Sequence, residues 1–319
     1  MQRVLTVRAG VTKPLPSFRI CRAGVNERVH DFCSRKIIGQ SRLNALYQAI
    51  RMVDLTTLEG CDTAGKIRQL CAKARTPLSD PIIREQFPLK NIPALPAVAA
   101  VCVYPEWVAC AKKALEGSSV KVASVATGFP AGQVNRSIRQ EDTRQALDAG
   151  ADEIDMVINR GAFLSGDYQK VYDEIAEIRE LCGEQVRLKV ILETGEIGDA
   201  ENIRLASWLA MEAGADFIKT STGKIPAASS MSVSLHMLYG IREFFRSNGR
   251  KIGMKPAGGI RSAKEAIHYL TMLLETLGEE WLHPDYFRFG ASTLLNDLLR
   301  EVMILSAGTD PYPGFFSVE

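Results

Sequence analysis

Eight short apolar runs, each followed by an amphipathic segment, limit the folds open to this chain more than any other feature. The runs lie at Ile50–Thr57, Ala97–Tyr104, Val120–Thr127, Glu153–Asn159, Arg187–Glu193, Asp216–Thr220, Lys251–Lys255 and Tyr286–Phe289. Near-continuous apolar runs of this length are typical of strands that are buried on both faces, as in parallel sheets. The intervening segments are long enough for the crossover helices that parallel strands require.

Three of the intervening segments carry clear helix-end signals. We predict helices over Ser137–Ala149, Tyr168–Cys182 and Ala200–Ala213, each followed directly by a glycine. Glycine is favoured just past a helix C-terminus because it adopts the left-handed conformation without strain. Asp199 is well placed to cap the N-terminus of the third helix.

Eight alternations of strand and helix favour a closed TIM (β/α)8 barrel over an open, doubly wound sheet. A dinucleotide-binding sheet would have G-x-G-x-x-G after its first strand, whereas this chain has LTTLEG there. We therefore predict an α/β fold with one barrel over residues 46–305. Residues 1–45 would form an N-terminal extension, partly helical from about Ser41, and residues 306–319 a C-terminal tail.

The composition does not indicate a nucleic-acid or membrane partner. The 319 residues carry a formal net charge of +2, and no apolar run approaches the roughly 20 residues that span a bilayer. The seven cysteines show no paired short spacing, which favours reduced thiols and a cytoplasmic location. The first 26 residues are basic without acidic residues, but serine is sparse there, so a solvated or loosely docked arm is favoured over a transit peptide.

Polar side chains stand toward the ends of strands that otherwise consist of apolar residues. They are Asp54, Cys102, Asp155, Lys189, Lys219 and Lys255. Chemistry in a TIM barrel is built where the C-terminal strand ends converge, and an unpaired buried charge is costly. One lone Lys–Asp pair would favour a structural ion network, but three lysines and two aspartates favour a reactive site. Cys102 is more simply a small buried residue, and Lys189 is either a site residue or a charge balance for Asp155.

Lys219 and Lys255 end neighbouring predicted strands and should lie close together. Repulsion between two ammonium groups and partial desolvation both lower the pKa of the lysine that is less well compensated. A free amine can attack a carbonyl, which is the condition for Schiff-base chemistry. We therefore predict that one of these two lysines is the nucleophile and that the other stays charged if Asp155 pairs with it.

Three glycine-containing loops after strands six, seven and eight predict an anion site. They are STGK, PAGG and GAS, and their candidate ligands are Thr222, Gly223, Lys224, Gly258, Gly259 and Ser292. Glycines let backbone N–H groups approach a ligand, and phosphate sites in this fold commonly lie after strands seven and eight. A tight turn alone would explain one glycine pair, whereas three clustered loops favour phosphate.

Metal or cofactor chemistry is not indicated by the sequence. The four histidines are dispersed, and neither H-x-x-x-H nor a Cys/His cluster occurs. Metal-dependent chemistry is therefore disfavoured, and we expect no cofactor.

The motifs together resemble deoxyribose-phosphate aldolases, from about residue 48 to about residue 300. The resemblance is carried by DLTTL, AAVCVYP, ASVATGFPAG, EIDMVIN, LKVILETG, DFIKTSTGK, KPAGGIR and FGAST, in that order. It implies a TIM barrel that reversibly cleaves 2-deoxy-D-ribose 5-phosphate into acetaldehyde and D-glyceraldehyde 3-phosphate.

The resemblance also implies a role for each matching residue. Lys219 would form the Schiff base, Lys255 would depress its pKa and Asp155 would relay protons. Asp54 and Cys102 would line the substrate pocket. Gly223, Lys224, Gly258, Gly259 and Ser292 would hold the phosphate.

The chain departs from the family pattern in three places. Its N-terminal extension is longer than in the shorter members, Thr293 stands where a second serine is frequent, and the tail ends without a terminal tyrosine. Tyr312 in that tail is a candidate lid over the pocket, although a disordered terminus is the simpler expectation.

Two alternatives to this function stay open at this point. Another lysine-dependent barrel aldolase would use a ketose or keto acid as donor, and a phosphosugar-binding barrel would have lost catalysis. Barrels of this kind often pair, so a homodimer or another homo-oligomer is compatible with the sequence, which does not itself fix the oligomeric state.

Overall fold

The eight predicted strands form a barrel in a computed structural model that describes residues 4–7, 10–78, 93–226, 229–308 and 310. An N-terminal hairpin of β1 (Val4–Thr6) and β2 (Thr12–Pro14) precedes them. The barrel strands are β3 (Val53–Thr56), β4 (Ala100–Val103), β5 (Lys121–Ala126), β6 (Glu153–Val157), β7 (Arg187–Ile191), β8 (Phe217–Lys219), β9 (Gly253–Lys255) and β10 (Phe289–Ala291).

The strands pair in parallel and in chain order, with β10 next to β3. Two further parallel bridges, Met254 with Phe287 and Ala257 with Gly290, link the region of β9 to that of β10 and close the ring. The predicted TIM barrel is therefore confirmed.

The eighth strand begins three residues later than predicted. The run from Tyr286 already bonds to the β9 side, where Met254 N–H donates to the Tyr286 carbonyl and Arg288 N–H donates to the Met254 carbonyl. Continuous pairing with β3 on the other side starts only at Phe289. The apolar pattern therefore marks burial correctly but not the start of the ladder.

Helices surround the barrel and cover the outer faces of the strands. Within the described ranges, the helices of more than three residues are Arg22–Ser34, Gly39–Ile50, Ala64–Arg75, Val108–Ala114, Arg136–Asp148, Arg160–Leu164, Tyr168–Cys182, Ala200–Glu212, Met231–Asn248, Ala263–Leu277 and Leu294–Ala307. Short 3-10 turns occupy Pro105–Trp107 and Glu279–Trp281.

The three helices predicted from sequence are confirmed within one residue at each end. The side chain of Asp199 accepts a hydrogen bond from Asn202 N–H, as expected of an N-cap. Gly150, Gly183 and Gly214 follow these helices and all have positive φ, which glycine adopts without strain.

The N-terminal segment docks on the outside of the barrel. Leu5 of β1 and Phe32 of the first helix are buried, and Lys13 forms an ion pair with Glu212. The helix predicted to start near Ser41 begins at Gly39 and packs against Leu294–Ala307. Tyr312, the candidate lid, lies outside the described residues, and no described helix is long and apolar enough to cross a membrane.

Strand alternation sorts the core into two layers. Outward residues such as Leu55, Val101 and Met156 pack under the helices in the main apolar core. Inward positions carry the charged side chains, and Lys219 and Lys255 are direct partners in the register of β8 and β9. The fold therefore brings the predicted polar residues into the barrel interior.

Candidate active site

Asp155 lies at the centre of a buried ion cluster inside the barrel. Its Oδ2 accepts hydrogen bonds from Lys219 Nζ and Lys255 Nζ, each at 2.8 Å, and its Oδ1 accepts one from Lys189 Nζ at 2.8 Å. All four side chains are buried, and only Lys219 retains any exposed surface, about 2%. The structure thus brings together the three predicted lysines and the predicted aspartate.

Asp54 extends the cluster toward the other end of the barrel. Its carboxylate lies 2.6 Å from Lys255 Nζ and 2.6 Å from Arg288 Nη1. Glu153 in turn pairs with Lys189 at 2.6 Å and with Arg288 at 2.8 Å. Arg288 and Glu153 were not predicted as members of the site. A charged residue inside the apolar run YFRF was the available signal for Arg288.

The three lysines respond differently to this common environment. Burial lowers the pKa of Lys219, and the nearby Lys255 ammonium adds to the lowering, although Asp155 opposes it. Burial would also lower the pKa of Lys255, but Asp155 and Asp54 outweigh it, so that pKa is raised. Burial would lower the pKa of Lys189 too, but three nearby carboxylates outweigh burial, so this pKa is also raised. Lys219 is therefore the lysine most easily converted to a free amine.

Asp155 itself stays ionised. Burial alone would raise the pKa of its carboxyl, but the three lysines hold that pKa well below its ordinary value. Cys102 lies beside it, with Sγ 3.9 Å from Asp155 Oδ2. Burial raises the pKa of the Cys102 thiol, so it stays protonated and uncharged.

A cavity of about 190 Å³ opens at the C-terminal mouth of the barrel above Lys219. The predicted anion ligands all line it: Thr222, Gly223, Lys224, Gly258, Gly259 and Ser292. Three of its glycines, at positions 223, 258 and 259, have positive φ. Asp54, Cys102 and Lys189 do not line this cavity and lie beneath Lys219, so their contact with substrate stays a prediction.

The walls of the cavity supply backbone donors and the charged side chain of Lys224. The helix Leu294–Ala307 begins directly after Ser292 and Thr293, so its N-terminus faces the cavity. Lys224 Nζ is paired with Glu59 at 2.8 Å, and the Glu59 side chain is 58% exposed. Such an exposed pair is weak and can be exchanged for an anionic ligand. Thr56 and Arg261 also line the cavity and were not predicted.

Glu193 holds the loop that carries Thr222. It is fully buried, adopts φ of 56°, and accepts hydrogen bonds from Thr222 Oγ1 at 2.5 Å and from Thr222 N–H at 3.2 Å. Arg160 Nη1 lies 3.3 Å from the same carboxylate. Burial raises the pKa of Glu193, and the bonds from Thr222 oppose that shift. This residue was not predicted, although ETG directly after a strand was a visible signal.

Within the part of the chain that the structure describes, no group of three or more His, Cys, Asp or Glu side chains could hold a metal ion. The described residues place Lys219 beside two cations, Lys189 and Lys255, and the carboxylate of Asp155.

Comparison with known proteins decides the family. Residues 48–300 match the model of the DeoC/LacD family aldolases. The chain belongs to this family. As a DeoC/LacD aldolase it is a lyase, and the resemblance stated from its motifs is confirmed.

Relatives of this aldolase cover most of its length. It is 49% identical over 260 residues to the human protein named deoxyribose-phosphate aldolase, covering 81% of this chain and 80% of the relative. It is 46% identical over 288 residues to the mouse protein of that name, covering 89% of each. Among solved structures, the tetrameric deoxyribose phosphate aldolase of Aeropyrum pernix superposes with a TM-score of 0.61 at 23% identity, covering 83% of this chain and 98% of that one.

Proposed function

We propose that this aldolase reversibly cleaves 2-deoxy-D-ribose 5-phosphate into acetaldehyde and D-glyceraldehyde 3-phosphate through a Schiff base on Lys219. The observation that carries the proposal is the position of Lys219. It lines the cavity with the glycine loops, and its pKa is lowered while those of Lys189 and Lys255 are raised. Relatives at 46–49% identity that carry the name of this activity support the choice of substrate.

The proposed reaction begins with attack of the Lys219 amine on the aldehyde carbon C1 of the open-chain sugar. Loss of water gives an iminium, which accepts the electron pair of the C2–C3 bond as that bond breaks. D-Glyceraldehyde 3-phosphate leaves as the C3 hydroxyl loses its proton. The two-carbon enamine that remains on Lys219 is then protonated at carbon and hydrolysed to acetaldehyde.

We assign the proton transfers to Asp155 and Lys255. Asp155 Oδ2 lies 2.8 Å from both Lys219 Nζ and Lys255 Nζ, so a proton can pass between the two nitrogens through one carboxylate oxygen. A water molecule held between Asp155 and Lys255 would deliver the proton to the enamine carbon. The positive charge of Lys255 also disfavours an ammonium on Lys219 before the reaction starts.

The phosphate would bind at the glycine loops, far enough from Lys219 to fix the sugar's register. Gly223, Gly258 and Gly259 expose backbone, Ser292 and Thr222 offer hydroxyls, and Lys224 offers a charge. Binding energy from this non-reacting end orients C1 toward the amine.

The experiment that tests this function is a cleavage assay with product identification. Purified protein is expected to release acetaldehyde and D-glyceraldehyde 3-phosphate from 2-deoxy-D-ribose 5-phosphate, and to run the reverse condensation with acetaldehyde as donor. Activity only with a ketose or keto-acid donor would instead favour another lysine aldolase. Binding of the phosphosugar without turnover would favour a non-catalytic barrel.

We further propose that the chain forms a homo-oligomer and resides in the cytoplasm. The Aeropyrum pernix aldolase of the same fold is described as tetrameric, and all seven cysteines of this chain are free. Light scattering is expected to give a dimer or larger species, and a monomer at micromolar concentration would contradict the first proposal.

A further inference from the structure

The charges buried inside the barrel do not balance. Among the residues that the structure describes, this cluster holds three carboxylates and four cations: Asp54, Glu153, Asp155, Lys189, Lys219, Lys255 and Arg288. If every member is ionised, one positive charge is in excess. A buried excess charge is costly, and loss of one proton from one lysine relieves it.

The ion pairs are distributed unequally among the four cations. Lys189 pairs with three carboxylates, and Lys255 and Arg288 with two each. Lys219 pairs with Asp155 only, at an oxygen that it shares with Lys255. The cation with the fewest partners is therefore the one that gives up its proton at least cost.

Arg288 is the cation that creates the excess, and it lies at the far end of the barrel from the cavity above Lys219. Its Nη1 donates to Asp54 Oδ1 at 2.6 Å, its Nη2 donates to Glu153 Oε1 at 2.8 Å, and its Nε donates to the Pro284 carbonyl. Together with Glu153 it lines a cavity of about 530 Å³ at the N-terminal mouth. A guanidinium stays protonated in proteins, so Arg288 cannot relieve the excess itself.

We propose that Arg288 is a positioning residue for the reaction. It forms ion pairs with Asp54 and Glu153 from the opposite end of the barrel, so these carboxylates do not neutralise an ammonium on Lys219, which stays a free amine. The inference rests on the proposed function of Lys219 as the Schiff-base nucleophile. Without Arg288, three lysines would face three carboxylates, and each lysine could be neutralised as an ammonium.

The other groups that face Lys219 do not replace this contribution. Lys255 adds to the lowering of the pKa of Lys219, but Lys255 and Lys189 are each paired with Asp155 and with further carboxylates. The Cys102 thiol is uncharged. Toward the mouth, Lys224 is paired with Glu59, while Arg261 is exposed to solvent and screened. Asp155 favours the ammonium of Lys219 and therefore acts in the opposite direction.

The test measures how imine formation depends on pH in a set of charge variants. Imine with acetaldehyde is trapped by cyanoborohydride, and the initial rate of adduct formation on Lys219 is followed by mass spectrometry. The pH of half-maximal rate reports the titration of the attacking amine. The variants are Arg288→Met, Arg288→Lys, Glu153→Gln and the double variant Arg288→Met with Glu153→Gln.

The expected shifts have opposite signs. Arg288→Met should move the midpoint to higher pH by about one unit or more, because it removes the excess charge. Glu153→Gln should move it to lower pH, because it increases the excess. The double variant keeps one cation more than carboxylates, so its midpoint should return to within about 0.3 unit of wild type. Arg288→Lys should also stay near wild type.

These outcomes separate positioning from mere structural support. The inference would be overturned if Arg288→Met folds, as judged by its circular dichroism spectrum, but forms the adduct on Lys219 more slowly by the same factor at every pH. A double variant whose midpoint lies about one unit or more above that of wild type would overturn it as well, even if Arg288→Met alone proved insoluble. Wild-type protein without any adduct on Lys219 would overturn the proposed function and this inference together, whereas a wild-type adduct with unmoved variants would overturn the inference alone.

Discussion

Lys219 and Lys255 donate to the same oxygen of Asp155, each at 2.8 Å, from adjacent positions in the register of β8 and β9. One carboxylate oxygen does not fully compensate two ammonium groups in a buried site. Lys255 has a second carboxylate in Asp54, and Lys219 has none. The geometry therefore divides the pair into one stable cation and one amine that can react.

Replacing Lys255 should disable the reaction without removing the nucleophile. In Lys255→Met the pKa of Lys219 should rise for two reasons. The neighbouring positive charge is lost, and Asp155 Oδ2 no longer accepts a hydrogen bond from a second lysine. We expect kcat at pH 7 to fall about 100-fold or more, with KM changed far less. Steady-state cleavage assays measure this. Lys113→Met, at an exposed position of the helix Val108–Ala114, is the control. Turnover within threefold of wild type in Lys255→Met would contradict the assignment.

The pH dependence of kcat/KM should show the lowered pKa of Lys219 directly. Burial is the first cause of the lowering, and Lys255 adds to it. The free amine is the reactive form, so activity should rise with pH through that lowered pKa and then level off. The midpoint of the rise should lie below 10.5, the ordinary value for lysine. A profile that still climbs at pH 10 would show that Lys219 titrates like a surface lysine.

The sequence predicted those parts of the fold that depend on local pattern. These parts are the positions of most strands and helices, the N-cap at Asp199 and the helix end before Gly183. They depend on neighbouring residues, and the predictions matched the structure closely. The start of β10 was misplaced because it depends on pairing with β3, some 235 positions away in the chain. An apolar run shows that a segment is buried but not which neighbour it pairs with.

Removing Lys224 should weaken the hold on phosphate and leave the chemistry intact. A charge-assisted hydrogen bond contributes about 1.5–3 kcal/mol, so Lys224→Ala should raise KM for 2-deoxy-D-ribose 5-phosphate by about 10- to 100-fold. The kcat/KM for unphosphorylated 2-deoxy-D-ribose should stay within about twofold. Comparing the two substrates checks this.

A matched control uses the partner of Lys224. Glu59→Gln frees the ammonium from its exposed ion pair, so KM for the phosphorylated sugar should fall or stay the same. Equal losses on both substrates in Lys224→Ala would place the phosphate elsewhere.

Glu193 should act as a support for the cavity loop through its hydrogen bonds rather than its charge. Glu193→Gln keeps an oxygen that can accept from Thr222, and it should retain most of the affinity for the phosphorylated sugar. Glu193→Ala removes the acceptor and leaves two buried donors of Thr222 unpaired, which costs about 1–3 kcal/mol. We expect Glu193→Ala to raise KM for that sugar about tenfold, and isothermal titration with inorganic phosphate should show a parallel loss. An equally large rise in KM in Glu193→Gln and in Glu193→Ala would show that Glu193 acts through the charge of its carboxylate.

The central residues of the candidate site were predictable from the sequence, but their ion pairs and several supporting residues were not. Asp54, Asp155 and the three lysines stood out because charged residues are rare in buried strands. Which carboxylate pairs with which cation depends on the strand register and on closure of the barrel. The roles of Arg288 and Glu153 therefore could not be predicted from the residues next to them in the chain. Arg288 and Glu153 are 135 positions apart in the chain. Glu193 was missed because its role depends on a backbone with φ of 56°, which a side-chain pattern does not reveal.

The most direct test of the central claim is to trap the proposed imine. Protein incubated with acetaldehyde and borohydride, then digested and mapped by mass spectrometry, should carry a reduced two-carbon adduct concentrated on Lys219. The adduct should be absent in Lys219→Leu. Labelling that is absent in wild type, scattered over surface lysines, or centred on Lys255 would contradict the assignment of Lys219 as the nucleophile.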